Sequence, residues 1–168
     1  MKKIPDLYLN LILAYCNEIK MHFNERLWSI CLFGSVARGN PDATSDIDIL
    51  IIAEDLDEDV GKRIRETNYI HEKLKNTKEY RELKSSGRCG LISDLFLTPE
   101  EAKRIPPILL DVLTDGIIFY DKDGFLKRVL DTLDKKLKAL GSKKIFTKKG
   151  SYYWILKPDI QVGETIDI

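Results

Sequence analysis

The stretch FGSVARGNPDATSDID, residues 33–48, determines how the rest of the chain is interpreted. A short apolar run precedes it over residues 28–33, and the strongest strand pattern of the sequence, IDILIIA, follows over residues 47–53. Short apolar runs bounded by turn residues are typical of buried strands. The sequence therefore predicts a strand, a tight turn at Gly34 and Ser35, a loop over residues 39–45 and a second strand.

Two carboxylates, Asp46 and Asp48, stand at the start of the second strand with one residue between them. Successive side chains of a strand point to opposite faces, so both carboxylates are expected on one face while Ile47, Ile49 and Ile51 point into the core. Neighbouring carboxylates repel each other unless a cation lies between them or one takes a proton. Mg²⁺ is the expected cation, because it commonly takes one or two protein carboxylates and completes its shell with water and phosphate oxygens.

The Gly-Ser turn offers groups that would bind phosphate next to such a metal. Gly34 allows the backbone to approach a ligand closely, Ser35 supplies a hydroxyl, and the N–H groups of the turn can surround phosphate oxygens. Arg38 lies one helical turn further on, where a guanidinium could also reach a phosphate; the alternative is that it pairs with Asp42 and only fixes the loop. Phosphate at the turn and metal on the strand together predict a nucleoside triphosphate site.

A third acid, Asp94, interrupts the apolar run LISDLFL at residues 91–97. An unpaired carboxylate in mid-strand is costly, and a neighbouring strand would bring it about 5 Å from the strand of Asp46 and Asp48. Asp94 is therefore the candidate for the group that binds metal and helps to deprotonate an attacking hydroxyl. The alternative is a structural role, as a helix cap or in a pair with Arg88.

Elsewhere the apolar periodicity predicts helices that alternate with strands. The helices are expected over residues 6–24, 57–84, 106–113 and 123–141, with a short one starting at the Thr98 cap, and a further strand over 116–121 precedes a C-terminal hairpin. Tyr152, Tyr153 and Trp154 of this hairpin are interpreted as core or interface residues. The pattern predicts an α/β (α+β) domain with helices packed against a mixed sheet.

The charge is uneven although the net charge is zero. Residues 127–157 carry ten Lys or Arg side chains against two Asp, which suggests a polyanion or an acidic partner surface; a solvated lysine-rich face is the alternative. The three cysteines are widely spaced, so neither a disulfide framework nor a zinc site is expected. Without a signal peptide or a long apolar run, the sequence predicts a cytoplasmic protein and no membrane segment.

GSVARG followed by SDIDI resembles the signature of the nucleotidyltransferase superfamily related to DNA polymerase beta. The spacing of G-S, ten residues and D-x-D is similar to that of minimal, antitoxin-like nucleotidyltransferases. The resemblance implies a twisted mixed sheet flanked by helices, a triphosphate held by Gly34 and Ser35, two Mg²⁺ on Asp46 and Asp48, and a third acid matched by Asp94. It also suggests a nucleotidyltransferase domain over residues 1–121, with a C-terminal helix and hairpin extension, residues 122–168, packed on the same domain.

The activity that the resemblance implies is Mg²⁺-dependent transfer of a nucleoside monophosphate, AMP from ATP, to a hydroxyl acceptor. The leading acceptor is a tyrosine of a HEPN-type toxin partner. Transfer to an RNA end or to a small molecule is one alternative, and the basic stretch would then be the electrostatic track for RNA. A catalytically silent binding module that acts by covering a partner is the other.

Overall fold

The computed structural model describes residues 4–147, 152–161 and 164–166. The elements of the first part are α1 (Asp6–Phe23), β1 (Leu27–Phe33), α2 (Gly34–Ala37), β2 (Ile47–Ala53), α3 (Val60–Lys75), α4 (Lys78–Ser85) and β3 (Ile92–Leu97). Those of the second part are α5 (Pro99–Lys103), α6 (Ile108–Asp115), β4 (Ile117–Asp121), α7 (Phe125–Ala139), β5 (Lys143–Phe146) and β6 (Tyr152–Ile155). Short 3₁₀ turns at Asn24–Arg26 and Lys122–Gly124 precede β1 and α7.

The central sheet has four strands in the order β3-β2-β1-β4. Strand β1 runs antiparallel to both β2 and β4, whereas β2 and β3 are parallel. The expected mixed sheet with flanking helices is confirmed. In the pairing of β1 with β2, Phe33 lies opposite Asp48, so the end of β1 delivers the Gly-Ser turn directly beside the carboxylates.

The sheet separates two apolar layers. Ile47, Ile49 and Ile51 of β2 lie in the layer formed with α1, α3 and α4, as the alternation of side chains predicts. Leu50 and Ile52 lie in the other layer, formed with α5, α6 and α7. Since Asp48 alternates with the isoleucines, its side chain belongs to the second face, the face covered by α6 and α7.

The charged segment over residues 57–84 was expected as one helix, and this is wrong: it forms the two helices α3 and α4. The break lies at Asn76 and Thr77, where the Thr77 hydroxyl donates to the carbonyl of Leu74 and also accepts from the backbone N–H of Tyr80. Threonine is a good N-cap and a poor residue for the interior of a helix, because its hydroxyl competes for backbone groups. Because charged residues continue across this position, the sequence pattern does not reveal the cap.

The C-terminal part packs on the sheet through α7. The apolar face of α7, including Leu126 and Leu133, lies in the second layer with Cys31 of β1. Helix α7 begins at Phe125 with Gly124 at its N-cap position, slightly later than the predicted start at residue 123, and the Asp121 carboxylate accepts the backbone N–H of Leu126 at 2.8 Å. Asp123 adopts a positive φ of 51° within the 3₁₀ turn.

The predicted terminal hairpin is confirmed by the antiparallel pairing of β5 with β6. Trp154 packs against the second layer, in agreement with its interpretation as a core residue. Lys148 and Lys149, two lysines of the basic stretch, lie outside the described residues. Over the described ranges, none of the helices combines the length and the apolar character that crossing a membrane requires.

Candidate active site

Gly34 lies so close to Asp48 that a larger residue would push the Asp48 carboxylate aside. A Cβ atom on Gly34 would lie 2.1 Å from Oδ2 of Asp48 and 3.0 Å from its Cγ. Gly34 also has a φ of +73°, a left-handed conformation that other residues adopt only at a cost. Both the backbone angle and the close approach therefore require glycine, and together they place the start of the turn against one metal-binding candidate.

Ser35 and Arg38 follow on the short helix α2 and the turn after it. The carbonyl of Ser35 accepts the N–H of Asn40, and the carbonyl of Gly34 accepts the N–H of Arg38. The first N–H groups of a helix have no partner within it. The turn between β1 and α2 thus presents backbone donors and the Ser35 side chain at the same edge of the sheet as Asp48.

Asp46 and Asp48 are brought together as the sequence predicted. Burial is the main cause that raises the pKa of Asp48 above its usual value of 3.8, and the negative charges of Asp46 and Asp111 raise it further, while Arg38 opposes the shift. Asp46 accepts a contact from the Cys89 thiol at 3.4 Å. Two carboxylates that disfavour each other's charge are stabilised by a cation between them.

The donor set fits a hard divalent cation that is completed by substrate. Within residues 4–147, 152–161 and 164–166, no group of three or more His, Cys, Asp or Glu side chains could hold a metal ion without other ligands. Two carboxylates are what Mg²⁺ typically takes from a protein when phosphate oxygens and water supply the remaining ligands. Asp46 and Asp48 suit that mode of binding.

Arg38 pairs with an acid that the sequence did not single out. Its guanidinium donates to Asp115 of α6 at 3.1 Å, and the Asp115 side chain is only 4% exposed. The alternative partner, Asp42, is wrong, because its carboxylate accepts from Thr44 and Ser45 within the loop. The pair with Asp115 ties α2 to α6 and holds Arg38 close to Asp48, whose pKa its charge affects.

Asp94 lies on the neighbouring strand as expected, but on the opposite face of the sheet. In the parallel pairing of β2 with β3, Asp94 is level with Ile49, whereas Ser93 is level with Asp48. Residues that are level in adjacent strands share a face. The structure therefore brings together Asp46 and Asp48 but not Asp94, and metal binding by Asp94 has no geometric support here.

The Asp94 carboxylate instead finds its hydrogen-bond partners within the first apolar layer. It accepts the Tyr15 hydroxyl at 2.6 Å and lies 2.8 Å from Nε2 of His71, so the alternative of a pair with Arg88 is wrong. Arg88 donates to the carbonyl of Pro41. Burial, followed by the charge of Asp94, raises the pKa of Tyr15 well above its ordinary value, which keeps this phenol a donor. His71 belongs to no recognisable motif of the sequence, and the structure makes it part of this network.

Two residues near the carboxylates were not predicted as site residues: Asp111 was not singled out, and Tyr152 was interpreted as a core or interface residue. Asp111 of α6 is close enough for its charge to raise the pKa of Asp48. Its Oδ1 accepts the hydroxyl of Tyr152 from β6 at 2.5 Å. Neither residue belongs to a recognisable motif, and their positions far along the chain become meaningful only once α6 and the hairpin are packed on the sheet.

Comparisons with known proteins identify the family of this chain. The model of the nucleotidyltransferase domain family, NTP_transf_2, matches residues 17–89. A relative from Methanocaldococcus jannaschii that is named a protein adenylyltransferase is 33% identical over 134 residues, which cover 78% of this chain and 84% of the relative.

Solved structures of toxin–antitoxin proteins are also similar. A mutant of the toxin–antitoxin MntA-HpeT has a TM-score of 0.45 and 17% identity, and the match covers 75% of this chain and 90% of that one. A tri-AMPylated Shewanella oneidensis HEPN toxin in complex with MNT antitoxin has a TM-score of 0.40 and 18% identity, with 78% and 92% covered.

Proposed function

This chain belongs to the nucleotidyltransferase family, and we propose that it transfers AMP from ATP to a hydroxyl group of a protein acceptor in the presence of Mg²⁺. The observation that carries the proposal is the contact of Gly34 with the Asp48 carboxylate. This contact places a turn that can bind phosphate beside a pair of carboxylates that can bind a divalent cation. A nucleoside triphosphate that carries Mg²⁺ requires both kinds of group at the same position.

Each site residue receives a role in this proposal. The backbone N–H groups of the turn and the Ser35 hydroxyl bind the phosphates, and Gly34 allows their close approach. Asp46 and Asp48 bind the divalent cation, which when present neutralises charge on the phosphates and favours attack at the α-phosphate. Arg38, held by Asp115, contributes positive charge at the same edge.

A protein acceptor is supported by the name of the Methanocaldococcus relative, a protein adenylyltransferase. We propose that the acceptor group is a tyrosine hydroxyl of a HEPN-type partner, which is what the resemblance of the GSVARG and SDIDI motifs implies. The acceptor oxygen forms a bond to the α-phosphorus of ATP, the bond from that phosphorus to the bridging oxygen of the β-phosphate breaks, and pyrophosphate leaves. The hydroxyl proton must pass to a base as that bond forms.

The test is a transfer assay with the full chain. Purified protein, Mg²⁺ and each of the four α-labelled ribonucleoside triphosphates are incubated with cell extract, and labelled proteins, RNA and small molecules are separated. We expect label from ATP on a protein band, lost in Asp46→Asn/Asp48→Asn. Asp131→Asn, an exposed aspartate of α7, is the matched control and should retain transfer. Label only on RNA or a small molecule would contradict the protein acceptor, and no label from any triphosphate would overturn the proposed function.

A further inference from the structure

The hydroxyl of Tyr152 lies within the charged cluster that surrounds Asp48. Asp111 accepts this hydroxyl at 2.5 Å, and the charge of the same Asp111 acts on Asp48. Arg38 is a second shared neighbour, because its charge acts on both Tyr152 and Asp48. The Tyr152 hydroxyl is therefore bonded to an acid that lies one turn of α6 before Asp115, the residue that holds Arg38 near the predicted metal-binding carboxylates.

The hairpin holds Tyr152 in this position. Trp154 packs its ring against the apolar layer of α6 and α7, and the Ser142 hydroxyl donates to the carbonyl of Leu156, which closes the base of the hairpin. The Lys144 ammonium lies 3.4 Å from the centre of the Tyr152 ring. Tyr152 is partly buried, whereas its neighbour Tyr153 is 52% exposed on the other side of the strand.

The pair of Tyr152 and Asp111 has the chemistry of a nucleophile and its base. Burial first, and the bond to Asp111 second, raise the pKa of Tyr152, so the phenol keeps its proton near neutral pH. Such a hydroxyl attacks phosphorus only when a neighbouring base takes the proton as the new bond forms. Asp111 already accepts that proton in a hydrogen bond.

We propose that Tyr152 is an internal acceptor, which the chain adenylylates with Asp111 as the general base when no partner protein is present. This inference rests on the proposed function, since it needs the same ATP and divalent cation. The Tyr152 oxygen forms a bond to the α-phosphorus, the bond from that phosphorus to the bridging oxygen of the β-phosphate breaks, and pyrophosphate leaves. The phenol proton passes to the Asp111 carboxylate.

Two consequences distinguish this reaction from transfer to a partner. The acceptor belongs to the same chain, so the labelled fraction at a given time is independent of protein concentration. The Tyr152 hydroxyl is the one that Asp111 accepts, so labelling that needs this base stops at one AMP per chain. The attached AMP would then occupy the cluster, and a fully modified chain should transfer more slowly to other acceptors.

The experiment uses the purified full chain with Mg²⁺ and α-labelled ATP in the absence of extract. We expect one AMP per chain by intact mass, located on Tyr152 by peptide mapping. Tyr152→Phe should lose the label, whereas Tyr153→Phe, the exposed neighbour, should keep it. Asp111→Asn still accepts the Tyr152 hydroxyl but cannot take its proton, so the rate of self-labelling should fall about 10² to 10⁴-fold.

Several outcomes would overturn the inference. These are label that persists in Tyr152→Phe, label on another residue, or a labelled fraction that rises with protein concentration. Label on an acceptor in extract, without self-labelling of the purified chain, overturns the inference and leaves the proposed function standing. No label on any acceptor, internal or external, means that the proposed function itself has failed. Melting temperatures of the variants show whether each is folded.

Discussion

Replacing Gly34 with alanine should remove activity while costing little stability. The new Cβ would lie 2.1 Å from Oδ2 of Asp48, and ordinary contact begins at 3.4 Å, so the carboxylate must move by more than an ångström. A displacement of about 1 Å in a site that positions reacting groups costs about 10²-fold in rate. Because Oδ2 is the end of a flexible side chain, most of this movement is a rotation and does not disturb the core.

The stability cost of Gly34→Ala comes mainly from the backbone. At a φ of +73°, alanine is disfavoured by about 1 to 2 kcal/mol. For a chain of this size, each kcal/mol lowers the melting temperature by about 2 to 4 °C, so a loss of about 2 to 8 °C is expected. The variant should therefore remain folded under the conditions of a transfer assay.

Gly87→Ala is the matched control for this perturbation. Gly87 has a φ of +76°, but no other group lies within 4 Å of the point that its Cβ would occupy, so alanine meets the same backbone cost without touching a neighbour. Both variants should lose similar melting temperature, measured by calorimetry, and only Gly34→Ala should lose transfer of label from ATP. Equal activity in the two variants would refute the idea that the contact of Gly34 with Asp48 positions the metal-binding carboxylate.

Two further substitutions separate the two faces of the sheet. Burial raises the pKa of Asp48 in the folded chain above its unfolded value, so the charged carboxylate disfavours folding above about pH 4, while the protonated carboxyl carries no such penalty below both pKa values. Asp48→Asn should therefore raise the melting temperature at pH 7, and this gain should disappear in acid. The same variant should lose transfer. Asp94→Asn weakens the bonds to Tyr15 and His71, so it should destabilise the chain by about 1 to 3 kcal/mol and retain transfer in the folded fraction.

The outcomes that contradict these expectations are equally specific. An Asp48→Asn variant with the same or lower melting temperature at pH 7 would mean that the carboxylate is not penalised by its burial and by Asp46. Mg²⁺ should raise the melting temperature of the unaltered chain and not that of Asp48→Asn. If Asp94→Asn abolishes transfer without loss of stability, the catalytic role predicted for Asp94 from the sequence is right, and its bonds to Tyr15 and His71 are not its main function.

Much of the fold could be predicted because local patterns and packing agree. The run IDILIIA has apolar residues for both faces of a buried strand, and the Gly-Ser turn ends the strand before it. The local sequence is therefore enough to predict β1, α2 and β2. The division of residues 57–84 into α3 and α4 could not be seen in a charge pattern that continues across it. There the capping bonds of Thr77 determine the boundary, and a threonine among charged residues gives a weak signal.

The position of Asp94 on the opposite face of the sheet has a geometric origin. Adjacency of two strands can be inferred from sequence, but the face on which a given side chain lies depends on register, and a shift of one residue reverses it. Here Ser93 and not Asp94 is level with Asp48. A carboxylate in mid-strand indicates that some group binds it, but the sequence does not tell whether that group is a metal ion or a side chain. In this chain the carboxylate of Asp94 is bound by a buried tyrosine and a histidine.

The acid whose charge acts on Asp48 from outside its own strand comes from a distant part of the chain. With Ser93 at the level of Asp48, strand β3 offers no carboxylate on that face, and the neighbouring acids are Asp111 and Asp115 of α6. Asp115 is engaged by Arg38, and Asp111 by the Tyr152 hydroxyl. An acid bonded to a hydroxyl near the predicted metal-binding carboxylates is arranged as a base for transfer. If Asp111→Asn slows transfer to external acceptors as well as self-labelling, both reactions use this one base.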